Sequence, residues 1–208
     1  MRKWLLLGII LLAFILRTYD VYTYPPGFTP DEASFGYDAY SILKTGRDQW
    51  GKRLPLVLES FGDFKPPLYA YILVPSVGIF GLNKFSVRFP NALLGTLAVF
   101  ATYLMVKEIF KSKDDRPFPF KHRVIAKSAA ILLAVSPWHI MLSRGGFEAN
   151  LTTVLIPLAI YLFLKSLKKS KMLVLSAFVF GINLFSYHST RVITPVILLF
   201  LIFAYWKS

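Results

Sequence analysis

Long apolar runs dominate this chain and limit what it can fold into. Hydrophobic residues make up 55% of the 208 residues, and a soluble domain rarely carries so much apolar sequence in unbroken runs. A membrane-spanning helix needs about 20 mostly apolar residues, and most of the runs come near this length. We therefore predict an all-α membrane protein. The apolar runs are 4–22, 67–82, 86–106, 124–142, 151–167, 172–187 and 192–206.

The charge and the cysteine count exclude several classes of function. The formal net charge is +13, but much of the excess lies in short clusters between apolar runs, as in the cytoplasmic loops of membrane proteins. No nucleic-acid-binding motif accompanies it, so we expect no nucleic-acid partner. The chain has no cysteine, which excludes disulfides, a thiolate nucleophile and Cys-ligated metals.

The basic clusters also predict the topology. Arg2 and Lys3 precede the first run without a small-residue cleavage site, which indicates an uncleaved signal anchor with a cytoplasmic N-terminus. If 67–82 does not cross the membrane, the basic stretches 107–123 and 165–171 are both cytoplasmic, as the positive-inside rule requires. We therefore predict that 67–82 is interfacial or re-entrant.

This topology gives about five spanning helices and one large outer loop, 23–85. The spans are predicted at 4–22, 86–106, 124–142, 151–167 and the region 172–206, which holds two runs at 172–187 and 192–206.

The outer loop contains a predicted amphipathic helix that begins with two adjacent carboxylates. Thr29 can cap this helix, Pro30 suits its first position, and Glu32 completes a capping box. We expect the helix to run to about Lys44 and to lie flat on the bilayer surface. Acidic residues are favoured in a first helical turn by the helix dipole, so capping and catalysis both explain Asp31 and Glu32 at this point.

Four further ionisable residues are candidates for substrate binding. Lys65 directly precedes run 67–82, Arg144 and Glu148 lie in an outer turn, and Arg191 begins the last run. Each also has a structural explanation, because lysine and arginine anchor to lipid headgroups and Arg144 can pair with Glu148. Cations that converge on the side of Asp31 are nevertheless what an anionic lipid substrate requires.

Five short segments, taken in order, resemble those of the GT-C fold glycosyltransferases that use polyprenyl-phosphate sugars. The nearest relatives by resemblance are the protein O-mannosyltransferases and the aminoarabinose transferases of lipid A. The segments are Leu16-Arg17, Pro30-Asp31-Glu32, Lys65-Pro66-Pro67-Leu68-Tyr69, Val87-Arg88-Phe89 with Gly95, and Ser143-Arg144.

The resemblance implies a function and a set of roles. It implies an outer loop with juxtamembrane helices, and inverting transfer of a hexose or pentose from the lipid phosphate to a protein, lipid or glycan hydroxyl on the extracytoplasmic face. Asp31 would be the base on the acceptor, Lys65 would contact the lipid phosphate, and Arg144 would shape the same site. Glu148 resembles the family's acidic residue in this turn. Such enzymes have more spanning helices, so residues 1–208 are expected to be the N-terminal part of a single domain.

Two points stay open at this stage. A divalent metal at Asp31 and Glu32 has no firm ligand pattern in the sequence. The alternative function is a non-catalytic membrane subunit or a transporter fragment. Transporters usually place charged residues near the middle of the bilayer, whereas the centres of these apolar runs are almost free of charge.

Overall fold

The computed structural model describes residues 2–111 and 122–206, which form helices and one short hairpin. The hairpin pairs β1 (Leu58–Ser60) with β2 (Asp63–Lys65) in antiparallel register. In chain order the helices are α1 Arg2–Thr18, α2 Pro30–Thr45, α3 Leu68–Phe80, α4 Lys84–Ile109, α5 His122–Val135, α6 Pro137–Arg144, α7 Asn150–Ser166, α8 Lys171–Asn183 and α9 Thr190–Tyr205. The prediction of a helical chain is therefore confirmed, while the number of membrane spans stays a prediction.

One helix in the described part of the chain, Lys84–Ile109, has the length and the apolar composition of a membrane span. The pair α5 and α6 meets the same standard only when taken together, and its two halves are bent by 58°. The other apolar helices have 10–17 residues. By length and composition alone, the structure therefore offers one or two spans rather than about five.

The predicted span 124–142 is wrong as a continuous helix. It breaks at Ser136, whose backbone is extended with ψ 116°, and α6 begins at Pro137. Proline disfavours the helical conformation in the residue before it, which explains the break. The first predicted span, 4–22, is also too long, because α1 ends at Thr18.

Helix α4 is the centre of the bundle and packs against α1, α3, α5, α6 and α7. One buried cluster joins α2, α3 and α4, and a second joins α1, α4 and α5. A third joins α7, α8 and α9. Buried apolar contacts of this kind hold the outer-loop helix α2 to the bundle.

Helix α2 begins and ends as its sequence predicts. The side chain of Thr29 accepts a hydrogen bond from the Glu32 N–H, and Glu32 accepts one from the Thr29 N–H. Gly46 ends the helix with a left-handed φ of 70°. The apolar face expected to lie on the bilayer is instead covered by α3 at Phe35 and Ala39, which are both buried. The orientation of α2 relative to a bilayer stays a prediction.

The basic ends of α4 and α7 meet at one end of the bundle. Glu108 of α4 contacts Lys165 of α7 at 3.4 Å and Lys111 at 3.5 Å. Twenty helical residues separate Glu108 from Arg88 at the other end of α4, which corresponds to about 30 Å. Residues 112–121 of the predicted basic connector, which include Lys113 and Arg116, lie outside the described residues.

Three connecting turns meet near the opposite end of α4. The Gly146 N–H of the α6–α7 turn donates to Glu32 of α2 at 3.0 Å. The Leu68 N–H at the start of α3 donates to the Phe185 carbonyl of the α8–α9 turn at 3.3 Å. The outer loop therefore contacts both later turns, while their predicted placement on one side of a membrane stays a prediction.

Candidate active site

Asp31 and Lys65 form an ion pair across the outer loop. Asp31 lies in the first turn of α2 and Lys65 ends β2, so the capped helix and the hairpin together bring the two side chains into contact. The Lys65 side chain is 7% exposed and the Asp31 side chain is 50% exposed. Lys65 Nζ also lies 5.3 Å from the centre of the Phe35 ring. The pair therefore presents an accessible carboxylate beside a buried ammonium group.

Glu32, the other predicted catalytic residue, has a different environment. Its Oε1 accepts from Arg88 Nε at 2.6 Å and from the Gly146 N–H at 3.0 Å. Its Oε2 accepts from Arg88 Nη2 at 3.1 Å and from the Thr29 N–H at 2.9 Å. Both carboxylate oxygens are thus engaged in a buried setting, and the catalytic role of Glu32 stays a prediction.

The same contacts set the charge of Glu32. Burial raises the pKa of this carboxyl, but the hydrogen bonds from Arg88, Thr29 and Gly146, together with the charge of Arg88, lower it by more. The net pKa lies below its ordinary value, and Glu32 is held ionised.

Arg88 connects Glu32 to the segment that follows α1. From the sequence, Arg88 is named only within the segment Val87-Arg88-Phe89, and its pairing with Glu32 is missed. Its remaining donors go to backbone carbonyls of Val21, Tyr22, Pro25 and Gly27, at 2.8 to 3.4 Å. An arginine at the start of an apolar helix was the only sequence signal for this pair. Its partner, Glu32, is 56 residues away, so no local pattern indicates the contact.

Arg144 is bound to backbone rather than to an acidic side chain. It is buried, and its guanidinium donates to carbonyls at the end of α1 and just after it. Such carbonyls have no partner within the helix, so Arg144 caps α1. Its predicted role in substrate binding stays a prediction, and no ion pair with Glu148 occurs among the described residues. The four carbonyls belong to Leu16, Tyr19, Asp20 and Tyr24.

Glu148 belongs to the same charged cluster as the Asp31–Lys65 pair. Burial raises its pKa above the ordinary value, and the negative charge of Asp31 raises it further, while Lys65 and His188 act in the opposite direction. The charges of Asp31 and Lys65 thus influence Glu148, while the predicted shared role of the three residues stays a prediction. His188 of the last turn also lies within electrostatic range.

Arg191 is not brought into this cluster. It is exposed in the first turn of α9. Within residues 2–111 and 122–206, no hydrogen bond or ion pair joins its side chain to Asp31, Lys65 or Glu148.

A buried polar network that sequence reasoning missed supports the α6–α7 turn. Asn150 Nδ2 donates to Asn91 Oδ1 at 2.8 Å, which ties α7 to α4. Arg17 Nη2 lies 2.7 Å from His139 Nδ1, which ties α1 to α6. Gly95 allows α6 to lie close against α4, because a methyl group at this position would lie 2.3 Å from Ser143 Cβ.

The described residues provide no set of metal ligands at this site. No group of three or more His, Asp and Glu side chains that could hold a metal ion occurs among the residues that the structure describes. A cavity of about 340 Å³ adjoins the Glu32–Arg88 pair instead, and its other walls include Pro25, Trp138 and Phe147.

The fold and the site define an apolar helical bundle with a buried charged site at one end. The chain belongs to the dolichyl-phosphate-mannose-protein mannosyltransferase family, whose model matches residues 64–208. The resemblance given by the short segments is thereby confirmed for the family, whose members are membrane proteins. The match includes Lys65, Arg144 and Glu148, and it begins after Asp31 and Glu32.

Two curated proteins are similar to this chain. An "Uncharacterized protein" of Aquifex aeolicus (strain VF5) is 27% identical over 171 residues, which are 82% of this chain and 31% of that protein. The "Putative mannosyltransferase YkcB" of Bacillus subtilis (strain 168) is 30% identical over 121 residues, 57% of this chain and 15% of that protein. The chain therefore corresponds to less than a third of the length of either relative.

Proposed function

We propose that this chain is the N-terminal part of a single-domain membrane glycosyltransferase that uses a polyprenyl-phosphate sugar as donor. The proposed reaction transfers the sugar, with inversion, to a hydroxyl group of a protein, lipid or glycan. The observation that carries the proposal is the Asp31–Lys65 pair, in which a half-exposed carboxylate lies beside a buried lysine. Membership of the mannosyltransferase family supports the same reaction class.

The pair supplies the two charges that such a transfer needs. The acceptor oxygen attacks the anomeric carbon while the bond from that carbon to the phosphate oxygen breaks. Asp31 takes the acceptor proton, and the bond electrons leave with the polyprenyl phosphate. Lys65 offsets the negative charge that develops on this phosphate.

Binding of the donor phosphate to Lys65 would also free the Asp31 carboxylate from its ion pair. In the structure the lysine is paired with Asp31 and has little contact with solvent. A bound donor phosphate would compete for the same ammonium group, because both partners form charge-assisted contacts with it. Phosphate binding would then release the carboxylate to act as a base.

The other predicted substrate ligands receive unequal support. Glu148 has a raised pKa and lies within the electrostatic range of Asp31, so we keep it as a ligand for a sugar or acceptor hydroxyl. Arg144 makes its contacts at the end of α1, so its effect on the substrate site is to hold that helix end in place. Arg191 is kept only as a contact for lipid headgroups at the start of α9.

The proposed membrane placement follows the two ends of α4. The layer of Arg88 and the layer of Glu108 are separated by about 30 Å along the helix, which is close to the thickness of a bilayer's hydrocarbon core. Large apolar side chains that include Phe178, Leu199 and Phe203 are exposed on α8 and α9. Such a surface is typical of contact with lipid. We propose a multi-pass protein with a cytoplasmic N-terminus and an extracytoplasmic site.

The test uses the full-length gene product that contains this segment, in membrane vesicles with radiolabelled polyprenyl-phosphate mannose, glucose or aminoarabinose. We expect Asp31→Asn to lower sugar transfer about 100-fold or more, because a general base contributes about that much. Asp63→Asn is the matched control, since Asp63 is an exposed carboxylate on the neighbouring hairpin. Equal transfer by both variants would contradict the proposal, whereas cross-linking to a partner without lipid binding would favour the subunit alternative.

A further inference from the structure

A second cavity lies beside the charged cluster, between α2 and the β1–β2 hairpin. Its volume is about 520 Å³, which is within the range of small-molecule binding sites. Neither Asp31 nor Lys65 is part of its walls. The family resemblance and the mechanism above give this cavity no role.

Two unpaired serine hydroxyls line this cavity. The oxygens Ser34 Oγ and Ser60 Oγ are buried and have no hydrogen-bond partner in the part of the chain that the structure describes. Ser34 is 6% exposed and Ser60 is 3% exposed. An unpaired buried hydroxyl costs about 1–3 kcal/mol, so each oxygen is favoured to find a partner in a ligand.

Aromatic rings stand at the rim of the cavity. The Trp50 side chain is held by a 2.7 Å hydrogen bond from its Nε1 to the Glu59 carbonyl, yet Trp50 is 61% exposed. Phe61 is 78% exposed and has a positive φ of 52°. A bulky residue rarely adopts this backbone conformation, and such strain is concentrated at binding sites. The hairpin and the loop before it thus each expose an aromatic ring whose position apolar packing does not explain.

The walls also carry groups that bind hydroxyls. The Glu59 side chain is 39% exposed and its carboxylate accepts hydrogen bonds, with one oxygen 3.3 Å from Lys52 Nζ. Gln49 Nε2 is committed to Asp38 and to the Glu59 carbonyl, which leaves its amide oxygen as an acceptor. Aromatic faces combined with hydroxyl and carboxylate groups match a sugar ring, which has apolar faces and a belt of hydroxyls.

We propose that this cavity binds a sugar ring, which stacks on Trp50 and exchanges hydrogen bonds with Ser34 and Ser60. The bound sugar is a separate ligand from the group transferred at Asp31. The proposal therefore does not depend on the transfer reaction. Binding alone, without any donor lipid, is the property to measure.

The test uses the full-length protein in lipid nanodiscs, because maltoside and glucoside detergents would themselves occupy a sugar site. Methyl α-mannoside, methyl β-glucoside and methyl β-galactoside are the probes, followed by saturation-transfer NMR and by tryptophan fluorescence. We expect at least one probe to bind with a millimolar Kd, which is ordinary for so small a ligand. If none of the three binds, the proposal is overturned.

Variants then locate the binding. We expect Ser34→Ala/Ser60→Ala to weaken binding about tenfold, equivalent to about 1.4 kcal/mol, with a Tm that is unchanged or higher because two unpaired hydroxyls are removed. We expect Trp50→Phe to abolish the fluorescence change, whereas the control Trp4→Phe, in the exposed face of α1, keeps it. An unchanged Kd in the double serine variant would overturn the proposal.

A third variant separates this site from the transfer site. Asp31→Asn is expected to bind the probe as well as the wild type does. Loss of binding in Asp31→Asn would assign the probe to the Asp31–Lys65 site and would contradict the second cavity as the sugar site. Failure of Asp31→Asn to affect transfer would contradict the proposed function alone.

Discussion

Glu32 and Arg88 form a buried two-point ion pair, with 2.6 Å between Oε1 and Nε and 3.1 Å between Oε2 and Nη2. Glu32 belongs to the first turn of α2 and Arg88 to the first turns of α4, so this one pair fixes the outer-loop helix to the centre of the bundle. It also fixes the position of Asp31, the neighbour of Glu32. Stability and activity should therefore both depend on it.

Glu32→Gln should destabilise the protein severely. Removing one partner of a buried ion pair leaves the other charge uncompensated, at a cost of about 3–5 kcal/mol. Thermal unfolding in nanodiscs measures this as a large fall in Tm. Glu59→Gln is the control, since Glu59 and Lys52 form an exposed pair that contributes about 1 kcal/mol or less. Equal Tm values for the two variants would contradict the structural role of Glu32.

Gly95→Ala should be destabilising even though alanine favours helices. The added methyl would lie 2.3 Å from Ser143 Cβ and 3.1 Å from Arg17 Nε, so α4 and α6 would have to separate. The control is Gly181→Ala in α8, where nothing lies within 4 Å of the new Cβ and helix propensity predicts a gain of about 0.5–1 kcal/mol. Opposite changes in Tm are expected, and a stabilised Gly95→Ala would show that the helices are not in close contact.

Asp38 should make the stability of the protein fall between about pH 4 and pH 6. Burial raises the pKa of this carboxyl from 3.8 to about 6, and the charge of Asp48 also raises it. A raised carboxyl pKa means that the folded state binds the proton more tightly, so the contribution is complete below the unfolded pKa and is lost as the pH rises through the folded value. The loss is of the order of 2–3 kcal/mol.

Tm measured from pH 4 to pH 7.5 tests this dependence on Asp38. We expect Asp38→Asn to flatten the Tm profile over this window, while Asp63→Asn leaves the slope unchanged. An Asp38→Asn profile as steep as that of the wild type would assign the pH dependence to another group.

Much of α2 and of the charge layout could be predicted from the sequence because both depend on local rules. The capping box of Thr29 and Glu32 and the left-handed Gly46 involve neighbours a few residues apart. The contact of Lys65 with Asp31 joins two residues of the same predicted outer loop. The break before Pro137 obeyed a local rule as well, and the sequence interpretation missed it because the hydropathy continues across the proline.

The roles of the buried charges could not be predicted, because they depend on distant partners. Arg144 binds carbonyls 120 to 128 residues away, in the last turn of α1 and in the segment that follows it. Glu32 had a sufficient explanation in isolation, as part of a cap, and nothing close to Arg88 in the sequence indicates its partner. The unpaired hydroxyls of Ser34 and Ser60 depend on the tertiary packing of the hairpin against α2, which no local pattern encodes.

The most direct test of the central claim compares two variants of the full-length enzyme, with kcat and the donor KM measured for each. If Asp31 is the base and Lys65 the phosphate ligand, Asp31→Asn lowers kcat about 100-fold or more with little change in donor KM. Lys65→Gln then raises the donor KM and lowers kcat as well, because Lys65 also stabilises the leaving phosphate. An Asp31→Asn enzyme with wild-type kcat, or a Lys65→Gln enzyme with unchanged kcat and donor KM, would contradict this account.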